Sequence, residues 1–197
     1  MVNTSIEKVC VIKGDITKME VDAIVNSAHI TYLAGSGVSG AIHQAAGREL
    51  EEECRRIVAS DLSPGQVPLT EGFNLPAKYV LHVIVPTAKV RGEISPSEEK
   101  LLINCYKEAI YTANQCGIKT LAFPSLGTGI RAYPLEKVAK LAVKTIFEYL
   151  NEYVPEAFEM VYITTYSDKD FLAYKHAYDQ YLIRYGKNMK IENSKTQ

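Results

Sequence analysis

The stretch GSGVSG, Gly35 to Gly40, lies between an apolar, β-branched segment and a run of residues with helical spacing. Its G-x-G-x-x-G pattern is that of the phosphate-binding turn in Rossmann dinucleotide folds. In that fold the first glycine directly follows a strand, whereas here several residues separate the predicted strand 22–27 from Gly35. The acidic residues at the later offset, Glu51 to Glu53, fall on a predicted helix. A Rossmann oxidoreductase that binds NAD is therefore the least favoured interpretation.

The glycines of this stretch have no side chains, so the backbone just before the predicted helix is accessible to a ligand. The free amides and partial positive charge of a helix amino end favour the binding of an anion. A second segment, PSLGTGIRAYP (124–134), also leads from a predicted strand through glycines into a helix. Two such loops at one sheet edge suit a ligand with two phosphates, because each offers several N–H donors. For the first loop taken alone, a flexible connection without a ligand is the alternative.

Strands and helices alternate along the chain, which predicts a three-layer α/β/α sandwich with a central mixed sheet. We predict strands in KVCVIKG, VDAIVNSA, QVPLTEGF, YVLHVIVP, KTLAFPS and FEMVYITTY, and helices over 38–59, 95–116, 133–153 and 168–186. The sheet is predicted to be mixed because no helix separates the two strands within 66–85. We expect Ser39 to cap the first helix. A single domain over 1–186 with a polar, disordered tail at 187–197 is the predicted organisation.

The composition argues against several classes of protein. The net charge of −1 gives no support to specific binding of nucleic acid. No apolar run reaches the ~18–20 residues that span a bilayer, and the amino terminus lacks the pattern of a signal peptide. The four cysteines show no metal-binding spacing. We therefore expect a cytoplasmic monomer that needs no cofactor or metal and binds no membrane.

Five motifs, taken in order, resemble the macrodomain family over about residues 8–185. They are GDIT, VDAIVNSA, GSGVSGAIHQAAG, LPAKYVLHVIVP and FPSLGTGIRAYPLEKVA. The resemblance implies a cleft across the strand ends that binds ADP-ribose, so that free ADP-ribose or an ADP-ribosylated protein is the expected partner.

The resemblance also implies roles for individual residues. Asp15 matches the residue that accepts a hydrogen bond from the adenine amino group, with the backbone of Ile16 beside it. Tyr166 matches an aromatic residue that stacks on adenine, and Phe171 is the alternative. The remaining binding residues that the resemblance implies, for the diphosphate and the distal ribose, are Asn26, Ala34, Gly35, Ser36, Gly37, Val38, Ser125, Gly127, Thr128, Gly129, Ile130 and Arg131.

The chain departs from the family at two positions. Macrodomains that cleave ADP-ribose from proteins commonly carry NAAN before the loop and an aspartate after its glycine–valine pair. Here NSAH places His29 at the second asparagine, and GVSG places Ser39 at the aspartate. The favoured hypothesis is a hydrolase of ADP-ribosylated protein or O-acetyl-ADP-ribose, with His29 and Ser39 as catalytic residues. Histidine is a usual catalytic base, which supports the hydrolase. Serine is a poor base in place of the aspartate, so a non-catalytic reader of ADP-ribose is the alternative.

Overall fold

The computed structural model describes residues 7–58, 67–154 and 156–195, with the side chains described up to residue 184. These residues contain one six-stranded sheet with the order β1-β6-β5-β2-β4-β3. Only the pairing of β3 with β4 is antiparallel. The predicted mixed sheet is therefore confirmed. The strands are Val9–Lys13 (β1), Ala23–Ala28 (β2), Leu69–Glu71 (β3), Tyr79–Ile84 (β4), Thr120–Pro124 (β5) and Met160–Thr165 (β6).

Helices cover both faces of the sheet, because the side chains of a strand alternate between its faces. In β2, Val25 packs in the same apolar core as helices α3, α4 and α5, whereas Ile24 packs with α1 and α2. This arrangement confirms the predicted three-layer sandwich. The helices are Gly37–Ala46 (α1), Arg48–Val58 (α2), Pro96–Gln115 (α3), Leu135–Tyr153 (α4) and Asp168–Lys195 (α5). Among the described helices, none is long and apolar enough to cross a bilayer.

The carboxyl ends of β1, β2, β5 and β6 meet at one edge of the sheet, because these four strands are parallel. The loops that follow β2 and β5 lie side by side there, since β2 and β5 are neighbours. Open sheets of this kind bind their ligands beyond the carboxyl ends of the strands. The topology therefore brings together the two glycine-rich loops that the sequence separates.

Three local predictions are wrong. The helix predicted over 38–59 is divided at Gly47, which has φ 98°, and a Cβ there would lie 2.6 Å from Nδ2 of Asn74. Ser36, not Ser39, occupies the N-cap of α1. Helix α5 continues past the predicted end at Gly186 to Lys195. The division into a domain over 1–186 and a tail stays a prediction.

Some predicted positions lie outside the described residues. They are residues 1–6 at the amino terminus, the helix residue Ala59, the strand residue Gln66 and the tail residues 196–197.

At the opposite, amino edge of the sheet, Asp22 joins the beginnings of three strands. Its Oδ1 accepts from Nζ of Lys78 (2.7 Å), just before β4. Its Oδ2 accepts from the amides of Lys119 (2.9 Å) and Thr120 (3.0 Å), at the beginning of β5. These bonds, with that from Lys78 the strongest cause, lower the pKa of Asp22 from 3.8 to about 2.

We expect Asp22→Asn to lower the free energy of unfolding at neutral pH by about 1–2 kcal/mol. Because the pKa of Asp22 is lower in the folded state than its ordinary value, its stabilisation is present above about pH 4. It is lost as the pH falls from about 4 towards 2, so the two proteins converge in stability in acid. Urea unfolding of both proteins at neutral pH and at about pH 2 measures this difference in the free energy of unfolding. Glu148→Gln, at an exposed pair with Lys144 (3.9 Å), is the control, and an equal difference at both pH values would contradict the assignment.

Candidate functional site

A cleft of about 440 Å³ opens at the carboxyl edge of the sheet, between the segments that follow β1, β2, β5 and β6. This volume is in the range of small-molecule binding sites in proteins. Most of the predicted binding residues line it: Asp15, Ile16, Ser36, Gly37, Val38, Ser125, Gly127, Thr128, Gly129, Ile130, Arg131 and Tyr166. The structure thus brings together residues from both glycine-rich loops in one cavity.

Five predicted site residues do not line the cleft: Asn26, His29, Ala34, Gly35 and Ser39. Conversely, the sequence analysis missed Gly14, Ser27, Ala41, Pro124, Thr164 and Asp170, which do line it. Two of these missed residues could have been found from the periodicity with which strands and helices place side chains on one face. Thr164 of β6 precedes Tyr166, which directly follows the strand, by two positions, and Ala41 follows Gly37 by four positions on α1.

The loop before α1 exposes backbone amides to the cleft. Ser36 at the N-cap makes no hydrogen bond through its side chain to the first turn, and first-turn amides have no acceptor inside a helix. Gly37 has φ 65°, and a Cβ added there would meet no atom within 4 Å. At Gly40 a Cβ would lie 2.4 Å from the carbonyl oxygen of Gly35, so this glycine lets the loop pack against the helix. The amino end of α1 therefore faces the cleft with little side-chain obstruction, a geometry that suits an anion.

The loop over 125–131 is held in place by the buried hydroxyl group of Tyr174 on α5. Ser125 Oγ lies 2.7 Å from Oγ1 of Thr128 and donates to the hydroxyl oxygen of Tyr174 on α5 (3.1 Å). Burial raises the pKa of Tyr174 to about 12, so this hydroxyl stays protonated at neutral pH. Gly127 turns the chain with φ 86°. These contacts connect the start of the loop to α5 and to the turn at Gly127.

Arg131 links three segments at the β2 side of the cleft. Its Nη2 donates to the carbonyl oxygen of Ala28 (3.0 Å), and its Nη1 donates to Oγ1 of Thr87 (2.8 Å). Its own carbonyl oxygen accepts from the amide of Ala88 (2.9 Å). The side chain therefore ties loop 125–131 to the end of β2 and to the segment after β4.

The β1 and β6 side of the cleft carries an acceptor and an exposed aromatic ring. Oδ1 of Asp15 accepts from the amide (2.9 Å) and the hydroxyl (2.7 Å) of Thr17. Among the described residues nothing donates to the other oxygen, Oδ2, which leaves it available to a ligand. Tyr166 is 80% exposed at the end of β6. A flat group with a hydrogen-bond donor would suit this pair.

Asn26 and Ser39 lie below the cleft, in a buried polar group. Nδ2 of Asn26 donates to Oγ of Ser39 (3.5 Å) and lies 3.2 Å from Nδ1 of His82. Burial lowers the pKa of His82 to about 3, so the ring is neutral. Because Nδ2 of Asn26 can only donate, Nδ1 of His82 accepts, and Nε2 of the neutral ring carries the proton and donates to Oγ1 of Thr70 (3.0 Å). Oδ1 of Asn26 has no partner within the described part of the chain.

His29 lies on the exposed loop after β2 and does not face the cleft. Its Nδ1 accepts from the amide of Thr31 (3.3 Å) and lies 3.0 Å from the hydroxyl of that residue. In this conformation Nδ1 of His29 is therefore already occupied as an acceptor. The catalytic roles of His29 and Ser39 stay predictions.

The comparison with protein families identifies the chain. The family model described as Macro domain matches residues 25–142, so the chain belongs to the Macro domain family. The matched region contains both glycine-rich loops.

Named relatives and solved structures agree with this assignment. The ADP-ribose glycohydrolase MACROD2 of Xenopus laevis is 40% identical over 184 residues, which are 93% of this chain and 43% of that protein. The chain thus spans less than half the length of that relative. A macro domain-containing protein of Methanosarcina mazei is 39% identical over 90% of this chain and 91% of its own length. A mutant macrodomain of Oceanobacillus iheyensis with ADPR has a TM-score of 0.79 and 34% identity, over 88% of this chain and 92% of that one.

We expect Gly127→Ala to lower the free energy of unfolding by about 1–3 kcal/mol. The residue has φ 86°, and the added Cβ would lie 2.7 Å from the ring of Tyr133. Gly129→Ala is the matched control in the same loop, because a Cβ there meets nothing within 4 Å. Urea unfolding of both variants measures the difference. Equal stability of the two variants would contradict the described conformation of this loop.

Proposed function

We propose that the chain binds ADP-ribose in this cleft and hydrolyses the bond that joins ADP-ribose to a modified protein or to an acetyl group. The main observation in support is that the two glycine-rich loops, which follow β2 and β5, line one cavity. Charge-assisted bonds from backbone amides to a diphosphate contribute about 1.5–3 kcal/mol each. The family membership and the name ADP-ribose glycohydrolase of a relative support the same activity.

The two ends of the cleft suit the two ends of this ligand. Oδ2 of Asp15 would accept from the adenine amino group, and Tyr166 would stack on the ring. The diphosphate would lie between the amino end of α1 and loop 125–131. The distal ribose would then lie at the β2 side, near Ser27 and Arg131, both of which line the cleft there.

Hydrolysis requires a water molecule to attack the anomeric carbon of the distal ribose, or the ester carbon for an acetyl group. We assign the uptake of the proton to His29, which follows β2 on the same side of the cleft. For the ring to act as a base, the loop must release Nδ1 from Thr31 and bring the ring to the cleft, which it does not line in this structure. A phosphate oxygen of the ligand is the other group that could orient the water.

A reader that binds ADP-ribose without cleaving it is the second candidate. It is favoured by the position of the carboxylates that line the cleft. Asp15 and Asp170 both follow β1 or β6, on the side assigned to adenine, so neither would face the distal ribose. Binding therefore needs a test separate from catalysis.

We expect Asp15→Ala to weaken the binding of ADP-ribose by about 1–3 kcal/mol, because the adenine amino group loses its acceptor. Titration calorimetry with free ADP-ribose measures this change. Asp168→Ala is the matched control, since its exposed carboxylate pairs with Lys13 and does not line the cleft. If Asp15→Ala binds as tightly as the unchanged protein, adenine does not lie at this residue.

For catalysis, we expect release of ADP-ribose from an ADP-ribosylated protein at equal concentrations of enzyme and substrate, read by mass spectrometry. His29→Ala should slow this release by about a hundredfold, since general bases contribute on that order. His176→Ala removes an exposed histidine of α5 and should change nothing. Release no faster than in buffer would favour the reader, and an unchanged rate in His29→Ala would remove its role as the base.

A further inference from the structure

Residues 86–93, which lie between β4 and α3, contact loop 125–131 at the β2 side of the cleft without lining the cleft itself; we name this segment the distal loop. Arg131 donates to Oγ1 of Thr87 in this loop (2.8 Å) and accepts from the amide of Ala88 (2.9 Å). The amide of Gly92 donates to the carbonyl oxygen of Ala132 (2.8 Å). These bonds hold the distal loop against loop 125–131.

A buried carboxylate fixes the other side of the distal loop. Glu98 of α3 is 5% exposed, and its Oε1 accepts from the amide of Lys89 (2.9 Å). Its Oε2 accepts from the amide of Ser95 (2.8 Å). The carboxylate therefore bonds to two backbone amides and to the hydroxyl group of Ser95 and, among the described residues, not to a cationic side chain. Lys89 is held by its backbone while its side chain lies exposed.

The exposed surface of the distal loop is cationic. Lys89 and Arg91 are both exposed, and neither forms an ion pair within the described part of the chain. Glu93 is the single acidic residue in 86–93. Val90, between the two cations, is 55% exposed. The whole chain has a net charge of −1, so this cationic surface is a local feature.

The distal loop lies where a modified protein would leave the cleft; this step rests on the proposed function. With adenine at Asp15 and Tyr166, the distal ribose lies near Arg131. A polypeptide attached to that ribose would leave the cleft at the β2 side, where Arg131 bonds to the distal loop.

We propose that the distal loop, through Lys89 and Arg91, binds an acidic segment that adjoins the modified residue of an ADP-ribosylated protein. The substrate class is thus a protein modified within a run of glutamate or aspartate. Exposed ion pairs are individually weak, so two of them give about a two- to thirtyfold gain in affinity at low salt. The gain decreases as salt screens the charges.

The test compares free ADP-ribose with two peptides that carry ADP-ribose through a linkage that cannot be hydrolysed. One peptide has glutamates on both sides of the modified residue, and the other has glutamines. We expect the glutamate peptide to bind about two- to thirtyfold more tightly in low salt and with little advantage in high salt. The double variant Lys89→Gln, Arg91→Gln should lose this preference and bind free ADP-ribose unchanged.

The matched control is Lys140→Gln with Lys144→Gln, which removes the same charge from exposed positions of α4 and should keep the preference. Equal binding of both peptides by the unchanged protein would overturn the inference while the proposed function stands. Absence of binding to free ADP-ribose would overturn both. Tighter binding of an ADP-ribosylated oligonucleotide than of the glutamate peptide would assign the distal loop to nucleic acid instead.

Discussion

The parallel pairing of β2 with β5 is the constraint on which the rest of the site depends. Ala23 of β2 pairs with Leu121 of β5 and Ile24 pairs with Ala122, so the two strands run side by side in the same direction. The loops that follow them are about a hundred residues apart in the chain, yet they line one cavity. Without this pairing, each loop would be a single weak anion site. With it, two sets of amides can bind the two phosphates of one ligand.

A cleft lined by backbone needs two kinds of support. Side chains must be absent where the ligand approaches, which Gly37 and Gly127 achieve in a conformation that other residues rarely adopt. The backbone must also be held in place before binding, because ordering a loop at that moment costs affinity. Here the hydroxyl of Tyr174 holds Ser125, and the guanidinium of Arg131 holds the end of β2. Both supports act from residues that follow the glycines in the chain.

The polar residues near the cleft separate into two groups. Asp15 and Tyr166 line the cavity, and their predicted contact with adenine stays a prediction. Asn26 and Ser39, which it also assigned to the site, bond to each other in the interior below the cleft. Their residue types alone do not distinguish these outcomes, because the same asparagine can face a ligand or an interior partner. The choice depends on His82, which comes from another strand and lies beside Asn26.

The sequence by itself determined the order of the strands and helices, the two glycine-rich loops and the family. Those features follow from the spacing and the types of residues within short segments, so they can be read without the tertiary structure. It did not reveal the break at Gly47, because the apolar spacing of Ile42, Ala46 and Leu50 continues through it. Only the tertiary structure decided which side chains reach the cleft and that residues 86–93 lie against Arg131. The reason is physical: these contacts join segments far apart in the chain, and each depends on how the layers pack.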